Sequence, residues 1–351
     1  MAREISTVLL TGASGFVGHE VEQVLRRESW LRTFTVLRPD SESANSAHLG
    51  SLVFRGELTD KASIAKIFKH KVDAIIHLVG IIAEDGTNTF EKAHVETTAN
   101  LVDLAVEHKV QKFVHMSALG TRQNASSRYH QTKYRAEQKV KESGLNYTII
   151  RPSVIFGSGC EFMGILEFLA KFPGCTPLLG EGKGRLQPVW VRDVARIFAK
   201  ALTEEVTDGK TYDLGGPDVY SMSEMLKVIE SHLGYEKTHC QLPSWVASRM
   251  ASSNGFLWPV LRSILHKGSF ALLAGHLLPP TINEDQLIMM EEDNTCDIEP
   301  VRKDFGVDLR SLADWLKEGG LEAQPWSKLW APRYKGDGPT HGEPDRSSPP
   351  S

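Results

Sequence analysis

The sequence predicts an α/β protein built on a doubly wound parallel β-sheet, with a smaller mixed lobe toward the carboxyl end. In the first half of the chain, short runs of β-branched and aliphatic residues alternate with helical stretches. This alternation is typical of a parallel sheet that is covered by helices on both faces. The strand runs are almost continuously apolar, as burial on both faces requires. A glycine-rich segment directly after the first run supports the same prediction.

The predicted elements follow one another in a regular order. The strands are STVLLTG, FTVLRP, SLVFRG, VDAIIHLVG, VQKFVHMSA and NYTIIRPS, and the helices among them include FVGHEVEQVLRRE, KASIAKIFKH, FEKAHVETTANLVDLAVEHK and the helix that carries Tyr129. The end of that last helix, RAEQKVKES, is interpreted as a solvated face because it is rich in charge. After Arg151 the pattern continues as QPVWV, RDVARIFAKAL, TYDLGG and SMSEMLKVIESHL, with Gly and Pro between.

This pattern divides the chain into three predicted regions. Residues 1–155 form a dinucleotide-binding core, and residues 156–331 complete the sheet and form the smaller lobe. Residues 332–351, rich in Gly, Pro and Ser, are predicted to be disordered. The apolar stretch 256–280 contains Pro, Arg, His and Lys, which argue against an ordinary spanning helix. We expect it to be a buried helix of the lobe, with a membrane surface or a partner protein as the alternatives.

Composition excludes several classes of protein. The 351 residues carry a net charge of −4, and 41% are apolar and 24% charged, as in soluble globular proteins. Nothing indicates a nucleic-acid partner.

The four cysteines, which are Cys160, Cys175, Cys240 and Cys296, lack the spacing of a zinc site, so we expect no metal and reduced thiols. The amino terminus shows no secretory signal, and we therefore expect a cytoplasmic protein.

The segment TGASGFVG, residues 11–18, lies between the first strand and the first helix. Gly12 suits a tight turn, Gly15 lets backbone approach a pyrophosphate, and Gly18 lets the helix pack closely on the strand. The free N–H groups of the helix would face the phosphates. This is a Rossmann-type signal in the right place. The residues predicted to contact the cofactor here are Gly12, Ser14, Gly15, Phe16, Val17 and Gly18.

The end of the second strand bears on the choice of cofactor. Arg38 lies about 20 residues past the glycine segment, where it suits the 2′-phosphate of NADP(H). We therefore favour NADP(H), whereas Asp40 leaves NAD(H) as the alternative. Further cofactor contacts are predicted from Glu57 and Leu58, after the third strand, and from Val79 and Gly80, after the fourth. His77, within the fourth strand, is interpreted as a core histidine.

These segments resemble the extended or atypical short-chain dehydrogenases/reductases. The segment TGASGFVG is similar to the family's TGxxGxxG motif, and GELTD is similar to its GDLxD motif. The five residues from Tyr129 through Lys133 match its YxxxK motif, and RPSVIFG is similar to its RPxxvyG motif. Three longer segments resemble one branch of this family, which comprises an NADPH-binding accessory subunit of respiratory complex I and its bacterial relatives. These segments are HLVGIIAEDGTNTFEKAHVETTANLVD, HMSALGT and GRLQPVWVRDVA. The resemblance covers about residues 5 to 320 and implies a Rossmann fold with a nicotinamide dinucleotide. It also implies peripheral association with a membrane or a respiratory complex.

The resemblance also implies a catalytic triad. Tyr129 and Lys133 share a helix face, and a nearby ammonium is expected to lower the pKa of the Tyr129 phenol. Tyr129 would then exchange a proton with a substrate oxygen, which Ser117 would polarise. Pro152 and Val154 would lie under the nicotinamide.

Three functions remain open at this point. The first is an NADP(H)-dependent oxidoreductase acting on a carbonyl, hydroxyl or quinone-related small molecule. The second is an accessory protein that only holds its nucleotide. The third is a sugar-nucleotide epimerase or dehydratase. Because one fold supports many activities, the resemblance alone does not choose among them.

Overall fold

The computed structural model describes residues 4–39, 51–172, 174–178, 184–241 and 284–321. Asp40, the apolar stretch 256–280 and the segment 332–351 lie outside the described residues. Within them, a parallel sheet of seven strands has the order β3-β2-β1-β4-β5-β6-β11. These strands are β1 (Thr7–Thr11), β2 (Arg32–Leu37), β3 (Leu52–Arg55), β4 (Ala74–His77), β5 (Lys112–Met116), β6 (Tyr147–Pro152) and β11 (Lys210–Leu214). The doubly wound α/β prediction is confirmed, since the order reverses between β1 and β4.

Helices cover both faces of the sheet, and neighbouring strand residues point to opposite sides. The helices are α1 (Phe16–Arg27), α2 (Lys61–Ala65), α3 (Thr97–Glu107), α4 (Arg128–Lys141), α5 (Glu161–Lys171), α6 (Val191–Lys200), α7 (Met222–His232), α8 (Glu284–Glu291), α9 (Glu299–Phe305) and α10 (Leu312–Lys317). Leu10 and Ile76 belong to one apolar core, with side chains of α1, α5 and α6. Leu9 and Ile75 belong to the other, with side chains of α2 and α3. Burial on both faces explains the apolar strands.

Two helical predictions need refinement. The predicted long helix after β4 begins with a π-helical segment, Glu91–Glu96, that runs directly into α3. Such segments often occur at functional sites. The charged end of α4 is not simply a solvated face, because Ala136, Glu137 and Val140 are buried. The prediction was wrong at Glu137, where salt bridges compensate for burial of a carboxylate.

The second half of the chain contains several very short strands. They are β7 (Ile155–Phe156), β8 (Thr176–Leu178), β9 (Arg185–Leu186), β10 (Val189–Trp190), β12 (Tyr220–Ser221) and β13 (His239–Gln241), which pair as β10 with β7, β12 with β9 and β13 with β8. Cys175 and Cys240 form a disulfide between the chain just before β8 and the middle of β13. The expectation that all four cysteines are reduced was therefore wrong for this pair. Parallel pairing brings together two residues separated by 65 positions, and no sequence motif signals that contact.

The turn that follows α8 is tied to the carboxyl edge of the sheet. Asn294 donates from Nδ2 to the Leu119 carbonyl at 3.2 Å and accepts from Ser153 Oγ at 2.5 Å. Arg122 forms a two-pronged ion pair with Glu292, with distances of 2.9 and 2.7 Å. Late residues therefore close over the loop between β5 and α4. Among the described helices, none combines the length and apolarity needed to cross a bilayer.

Candidate functional site

The turn between β1 and α1 has the close packing that the glycines were predicted to provide. Gly12 adopts φ +80°, a left-handed conformation that favours glycine. A Cβ on Gly18 would lie 2.0 Å from the Gly12 carbonyl oxygen, so only glycine fits. Gly15 precedes α1 with no side-chain cap, which leaves the helix's first N–H groups facing outward. Ser14 and Gly15 are exposed, Phe16 is half-buried and Val17 is buried. A phosphate group fits this turn.

A pair of cations lies where β2 and β3 end. Arg38 follows β2 and is exposed. Arg55 ends β3 and is also exposed, and its Nη1 donates to the carbonyls of Pro39 at 3.0 Å and Arg38 at 3.4 Å. Sequence reasoning missed Arg55. The signal was available, because SLVFRG places a basic residue at the end of the predicted third strand and parallel neighbours end at one edge.

The segment after β3 is held by local hydrogen bonds. The backbone N–H of Glu57 donates to Ser63 Oγ at 3.0 Å, and its carboxylate accepts from the Thr59 hydroxyl at 3.4 Å. Leu58 is buried, and its carbonyl accepts from Asn100 Nδ2 at 2.9 Å. The half-buried carboxylate of Glu57 therefore lies at the same sheet edge as Arg38.

The chain after β4 meets the helix that carries Tyr129. Val79 is half-buried and Gly80 is exposed. A Cβ on Gly80 would lie 2.8 Å from Lys133 Nζ and 3.4 Å from His94 Nε2, so glycine permits this close approach. His94, in the π-helical segment, bonds the Ile81 backbone through Nε2 and Thr132 Oγ1 through Nδ1. Burial, with Lys133 nearby, lowers the pKa of His94 to about 2 and keeps the ring neutral. His94 thus links the β4 loop to α4.

His77 occupies the core, as predicted. Its Nδ1 lies 2.7 Å from Thr11 Oγ1, and its Nε2 lies 3.0 Å from Thr98 Oγ1. Burial lowers the pKa of His77 to about 3, so the ring is neutral near pH 7. This histidine is a structural residue with two hydrogen-bond partners.

Tyr129 and Lys133 lie at the carboxyl edge of the sheet, on one face of α4. Lys133 is 2% exposed and donates from Nζ to the Met116 carbonyl at 3.1 Å. Burial lowers the pKa of Lys133 to about 8, against the opposing effect of Glu137. The half-buried Tyr129 ring packs edge-on against His94, with centroids 5.3 Å apart. Burial raises the pKa of Tyr129 to about 12. The expectation of a lowered pKa was therefore wrong, since desolvation of the phenolate prevails.

Ser117 follows β5 and lies close to α4. It is 3% exposed, and its Oγ donates to Thr121 Oγ1 at 3.3 Å. Despite burial, the Arg151 guanidinium, with a smaller effect of the nearby Ser117, holds the pKa of the Glu137 carboxyl below its usual range. The Ser117 hydroxyl is thus engaged by neighbouring side chains, and its predicted role as a polariser of substrate stays a prediction.

The segment after β6 passes close to the start of α1. Pro152 is buried and ends β6, and its carbonyl accepts from the Leu119 N–H at 2.9 Å. Val154 is half-buried, and its carbonyl accepts from the Val189 N–H at 2.9 Å. A Cβ on Gly157 would lie 3.4 Å from the tip of the Phe16 ring. The segment 152–157 therefore adjoins the glycine turn as well as the β5 edge.

Two further residues of the site were not selected from the sequence. His94 was not predicted, because a π-helical segment leaves no clear signal in the sequence. Glu137 was assigned to a solvated face. Its signal was periodicity, because positions 129, 133 and 137 recur every four residues and so lie along one helix stripe. Within the described part of the chain, no group of three or more His, Cys, Asp or Glu residues could hold a metal ion.

Several known proteins are similar to this chain in sequence. A subunit of mitochondrial NADH dehydrogenase [ubiquinone] from Arabidopsis thaliana (1 alpha subcomplex subunit 9) is 30% identical over 256 residues, which cover 70% of this chain and 62% of that protein. The chain thus matches slightly less than two thirds of that relative's length. The 40 kDa subunit of NADH-ubiquinone oxidoreductase from Neurospora crassa is 25% identical over 264 residues, which cover 73% of this chain and 68% of that protein.

Solved structures share the fold. A UDP-glucose 4-epimerase from Thermotoga maritima, solved with UDP-glucose, superimposes with a TM-score of 0.64 at 18% identity, covering 89% of this chain and 96% of that one. At this identity the likeness concerns the fold alone. The model of the NAD dependent epimerase/dehydratase family matches residues 8–215, more than half of the chain and every strand of the main sheet. With the glycine turn and the sheet order, this match shows that the chain belongs to the NAD-dependent epimerase/dehydratase family, whose Rossmann-type domain binds NAD(P).

Proposed function

We propose that the protein is an NADP(H)-dependent oxidoreductase that reduces a carbonyl or quinone-related small molecule. The observation that carries this proposal is the place of Lys133. Its ammonium is buried between the Gly80 backbone and the Met116 carbonyl, at the carboxyl edge of the sheet. Ligands of open α/β sheets bind at this edge, near the point where the strand order reverses. Lys133 would donate to the hydroxyls of the nicotinamide ribose.

The preference for NADP(H) rests on Arg38 and Arg55. Both are exposed at the ends of β2 and β3, and guanidinium groups suit a phosphate because they offer several donors in one plane. We expect Arg38→Ala to weaken NADPH binding by about tenfold or more and to leave NADH binding nearly unchanged. Calorimetric titration with each nucleotide measures both effects. Arg27→Ala removes an exposed arginine at the far end of α1 and serves as the control.

The proposed reaction uses Tyr129 as a proton donor. When bound, reduced nicotinamide supplies a hydride to the carbonyl carbon of the substrate. The Tyr129 hydroxyl then gives its proton to the carbonyl oxygen, and an alcohol results. A phenol whose pKa is raised by burial is protonated near pH 7, as a donor must be. Lys133 orients the ribose and stabilises the phenolate that remains.

Tyr129→Phe tests this chemistry. Loss of the hydroxyl is expected to lower kcat about 100-fold or more while the dissociation constant of NADPH stays nearly constant, because the ring still packs against His94. Tyr134→Phe, a half-buried tyrosine on the same helix, is the control and should retain activity. The assay is NADPH oxidation with a panel of carbonyl compounds and quinones. Equal turnover by Tyr129→Phe and the wild type would remove Tyr129 from the mechanism.

The second candidate is an accessory subunit that holds NADPH without turnover. The observation that favours it is the naming of the Arabidopsis and Neurospora relatives as subunits of a respiratory NADH–ubiquinone oxidoreductase. In this role the protein would lie in the cytoplasm, peripheral to the inner face of a membrane, and would associate with a large complex. Purification from the native source tests it. Nucleotide that stays bound, is not oxidised by any substrate and travels with membrane complexes would favour this role over an enzyme.

A further inference from the structure

A closed ring of hydrogen bonds joins the chain just after β5 to the end of β6. The Leu119 N–H donates to the Pro152 carbonyl at 2.9 Å. The Leu119 carbonyl accepts from Asn294 Nδ2 at 3.2 Å, and Asn294 Oδ1 accepts from Ser153 Oγ at 2.5 Å. Because Ser153 follows Pro152 directly, these three bonds close a ring. Asn294, which lies 141 positions beyond Ser153 in the sequence, completes it.

An asparagine side chain suits this place because it offers a donor and an acceptor side by side. The Leu119 carbonyl can only accept, so it requires the amide nitrogen, and the Ser153 hydroxyl then donates to the amide oxygen. That hydroxyl also lies 3.1 Å from the Asn294 backbone carbonyl, but its single proton serves the nearer side-chain oxygen. Leu119 and Ser153 are each 6% exposed, and buried polar groups need partners. Asn294 therefore satisfies both segments at once.

Asn294 is itself anchored by its backbone and by its neighbours in sequence. Its N–H donates to the Arg185 carbonyl at 2.7 Å, and the Arg185 N–H donates to Asp293 Oδ1 at 2.9 Å. Glu292, two residues earlier, forms a two-pronged ion pair with Arg122 of the β5–α4 loop, a geometry that fixes orientation as well as charge. The Asn294 amide is thus presented to the ring in one orientation.

The two segments that the ring joins carry predicted contacts to the substrate and the nicotinamide. Ser117, predicted to polarise the substrate oxygen, lies two positions before Leu119. Val154, predicted to lie under the nicotinamide, follows Ser153 directly. Displacement of reacting groups by about 1 Å can lower a rate about 100-fold. A bond that sets the distance between these segments therefore affects the reaction without touching the substrate.

We propose that Asn294 is a positioning residue that fixes the segment 152–154 against the start of the β5–α4 loop, so that the nicotinamide is held still for hydride transfer. This inference rests on the proposed function, which places the nicotinamide at this edge of the sheet. Asn294 bonds neither the glycine turn nor Arg38, where the phosphates would bind. Its loss should therefore leave NADPH bound but with a nicotinamide that moves more freely.

Asn294→Ala separates the affinity of the cofactor from its order. We expect the dissociation constant of NADPH, measured by calorimetric titration, to change less than about twofold, because the phosphate contacts remain. Time-resolved fluorescence anisotropy of bound NADPH reports nanosecond motion of the reduced nicotinamide, and its fast-decaying component should grow. With the panel of carbonyl compounds and quinones, kcat should fall by about tenfold or more.

Asn146→Ala is the matched control. Asn146 also makes a long-range amide bond, from Nδ2 to Asp208 Oδ2 at 2.8 Å, but it lies directly before β6, at the opposite edge of the sheet. Its truncation should lower stability to urea while changing neither the anisotropy nor kcat. If Asn294→Ala likewise loses only stability, its role is merely structural and the inference is overturned.

Two further variants test the bonds of the ring separately. Asn294→Asp keeps an acceptor for Ser153 but offers no donor to the Leu119 carbonyl, so it should also free the nicotinamide. Ser153→Ala removes the other bond and should have a smaller effect than Asn294→Ala. The two alanine substitutions should not add when combined, because both break the same contact. If Asn294→Ala fails to fold, unchanged anisotropy in both Asn294→Asp and Ser153→Ala would overturn the inference.

The readouts separate this inference from the proposed function. If no substrate oxidises bound NADPH but Asn294→Ala still loosens the nicotinamide, the oxidoreductase is refuted and the role of Asn294 is supported. If the wild type turns over and Asn294→Ala matches it in kcat and anisotropy, the oxidoreductase stands and the role of Asn294 is refuted. Failure of the wild type to bind NADPH would refute both.

Discussion

At the scale of single residues, two neighbouring histidines of the sheet differ in their partners. His77 in β4 and His115 in β5 are both buried, and their rings are stacked with centroids 5.4 Å apart. His77 hydrogen bonds to Thr11 and Thr98. Both ring nitrogens of His115 are buried without a hydrogen bond from the described residues. A buried polar atom without a partner costs about 1–3 kcal/mol, so His115 is a residue that the core would hold more favourably as an apolar ring.

We predict that His115→Phe raises the free energy of unfolding at pH 7 by about 1 kcal/mol, because it removes two unpaired nitrogens at nearly constant volume. Urea unfolding followed by circular dichroism measures the change. His77→Phe is the matched control, since the same substitution one strand away leaves the Thr11 hydroxyl without its partner and should destabilise by about 1–3 kcal/mol. Equal effects of the two substitutions would contradict the argument.

The sequence predicted where Tyr129 and Lys133 lie in the fold better than it predicted their charge states. Tyr129 and Lys133 follow from helix spacing, and the structure places both at the sheet edge. The pKa of Tyr129 does not follow, because it depends on how far Phe90 and His94 exclude water, and those contacts are made across the fold. Glu137 shows the same limit, since a glutamate in a charged run reads as exposed until its arginine partner on β6 is known.

At the scale of elements, the turn between β1 and α1 assigns different roles to its glycines. Gly18 allows helix and strand to touch, and an added Cβ would lie 2.0 Å from the Gly12 carbonyl oxygen and 2.8 Å from the Ala13 Cα. Backbone atoms cannot yield as a flexible side chain can. We predict that Gly18→Ala lowers the free energy of unfolding by about 2–3 kcal/mol because of this steric clash. The clash outweighs the stabilisation that alanine's higher helix propensity would provide. Urea unfolding measures this loss.

Gly15→Ala should separate binding from stability. Gly15 has φ −82° and ψ 170°, which alanine adopts readily, and its Cβ would lie 3.3 Å from the Gly12 carbonyl oxygen. We predict a change in unfolding free energy below about 1 kcal/mol. The methyl group would nevertheless face the pyrophosphate, so NADPH should bind at least about tenfold more weakly. A strongly destabilised Gly15→Ala protein with normal affinity would contradict this assignment.

Elements of the first half were predictable because each is long enough to show its own period. Strands β1, β4, β5 and β6 coincide with apolar runs, and the glycine pattern identifies the first turn. The connection of late residues to the site was not predictable. Asn294 bonds Leu119 and Ser153 across 175 and 141 positions, and neither contact leaves a pattern in the local sequence.

At the scale of the whole molecule, the α/β class followed from the alternation of elements, whereas the small sheets of the second half did not. β7, β9, β10 and β12 contain two residues each, too few for a hydrophobic period to appear. The disulfide between Cys175 and Cys240 depends on the pairing of β8 with β13, which contain only three residues each. These short strands are defined by the strands with which they pair, so a local hydrophobic pattern in the sequence does not predict them.

The four histidines around the site make the stability of the whole fold sensitive to acid. Burial lowers the pKa of His77 to about 3, of His94 to about 2 and of His130 to about 4, and it lowers that of His115 well below its ordinary value. In the unfolded chain each titrates near 6.5. Below that pH the unfolded state therefore binds more protons than the folded state, so the free energy of unfolding falls as the pH falls.

We predict that the free energy of unfolding is constant with respect to these histidines above about pH 6.5 and falls as the pH is lowered below that value. The slope should approach about 5 kcal/mol per pH unit, because unfolding takes up four protons and each contributes about 1.4 kcal/mol per pH unit. The window extends from pH 6.5 down to about 4, where the His130 side chain begins to protonate in the folded state. Urea unfolding at half-unit steps of pH measures the slope. His115→Phe, which removes one of the four groups, should reduce that slope by about a quarter. A slope between pH 6 and 4.5 that corresponds to the uptake of less than one proton on unfolding, which is below about 1.4 kcal/mol per pH unit, would show that these histidines are charged in the folded protein.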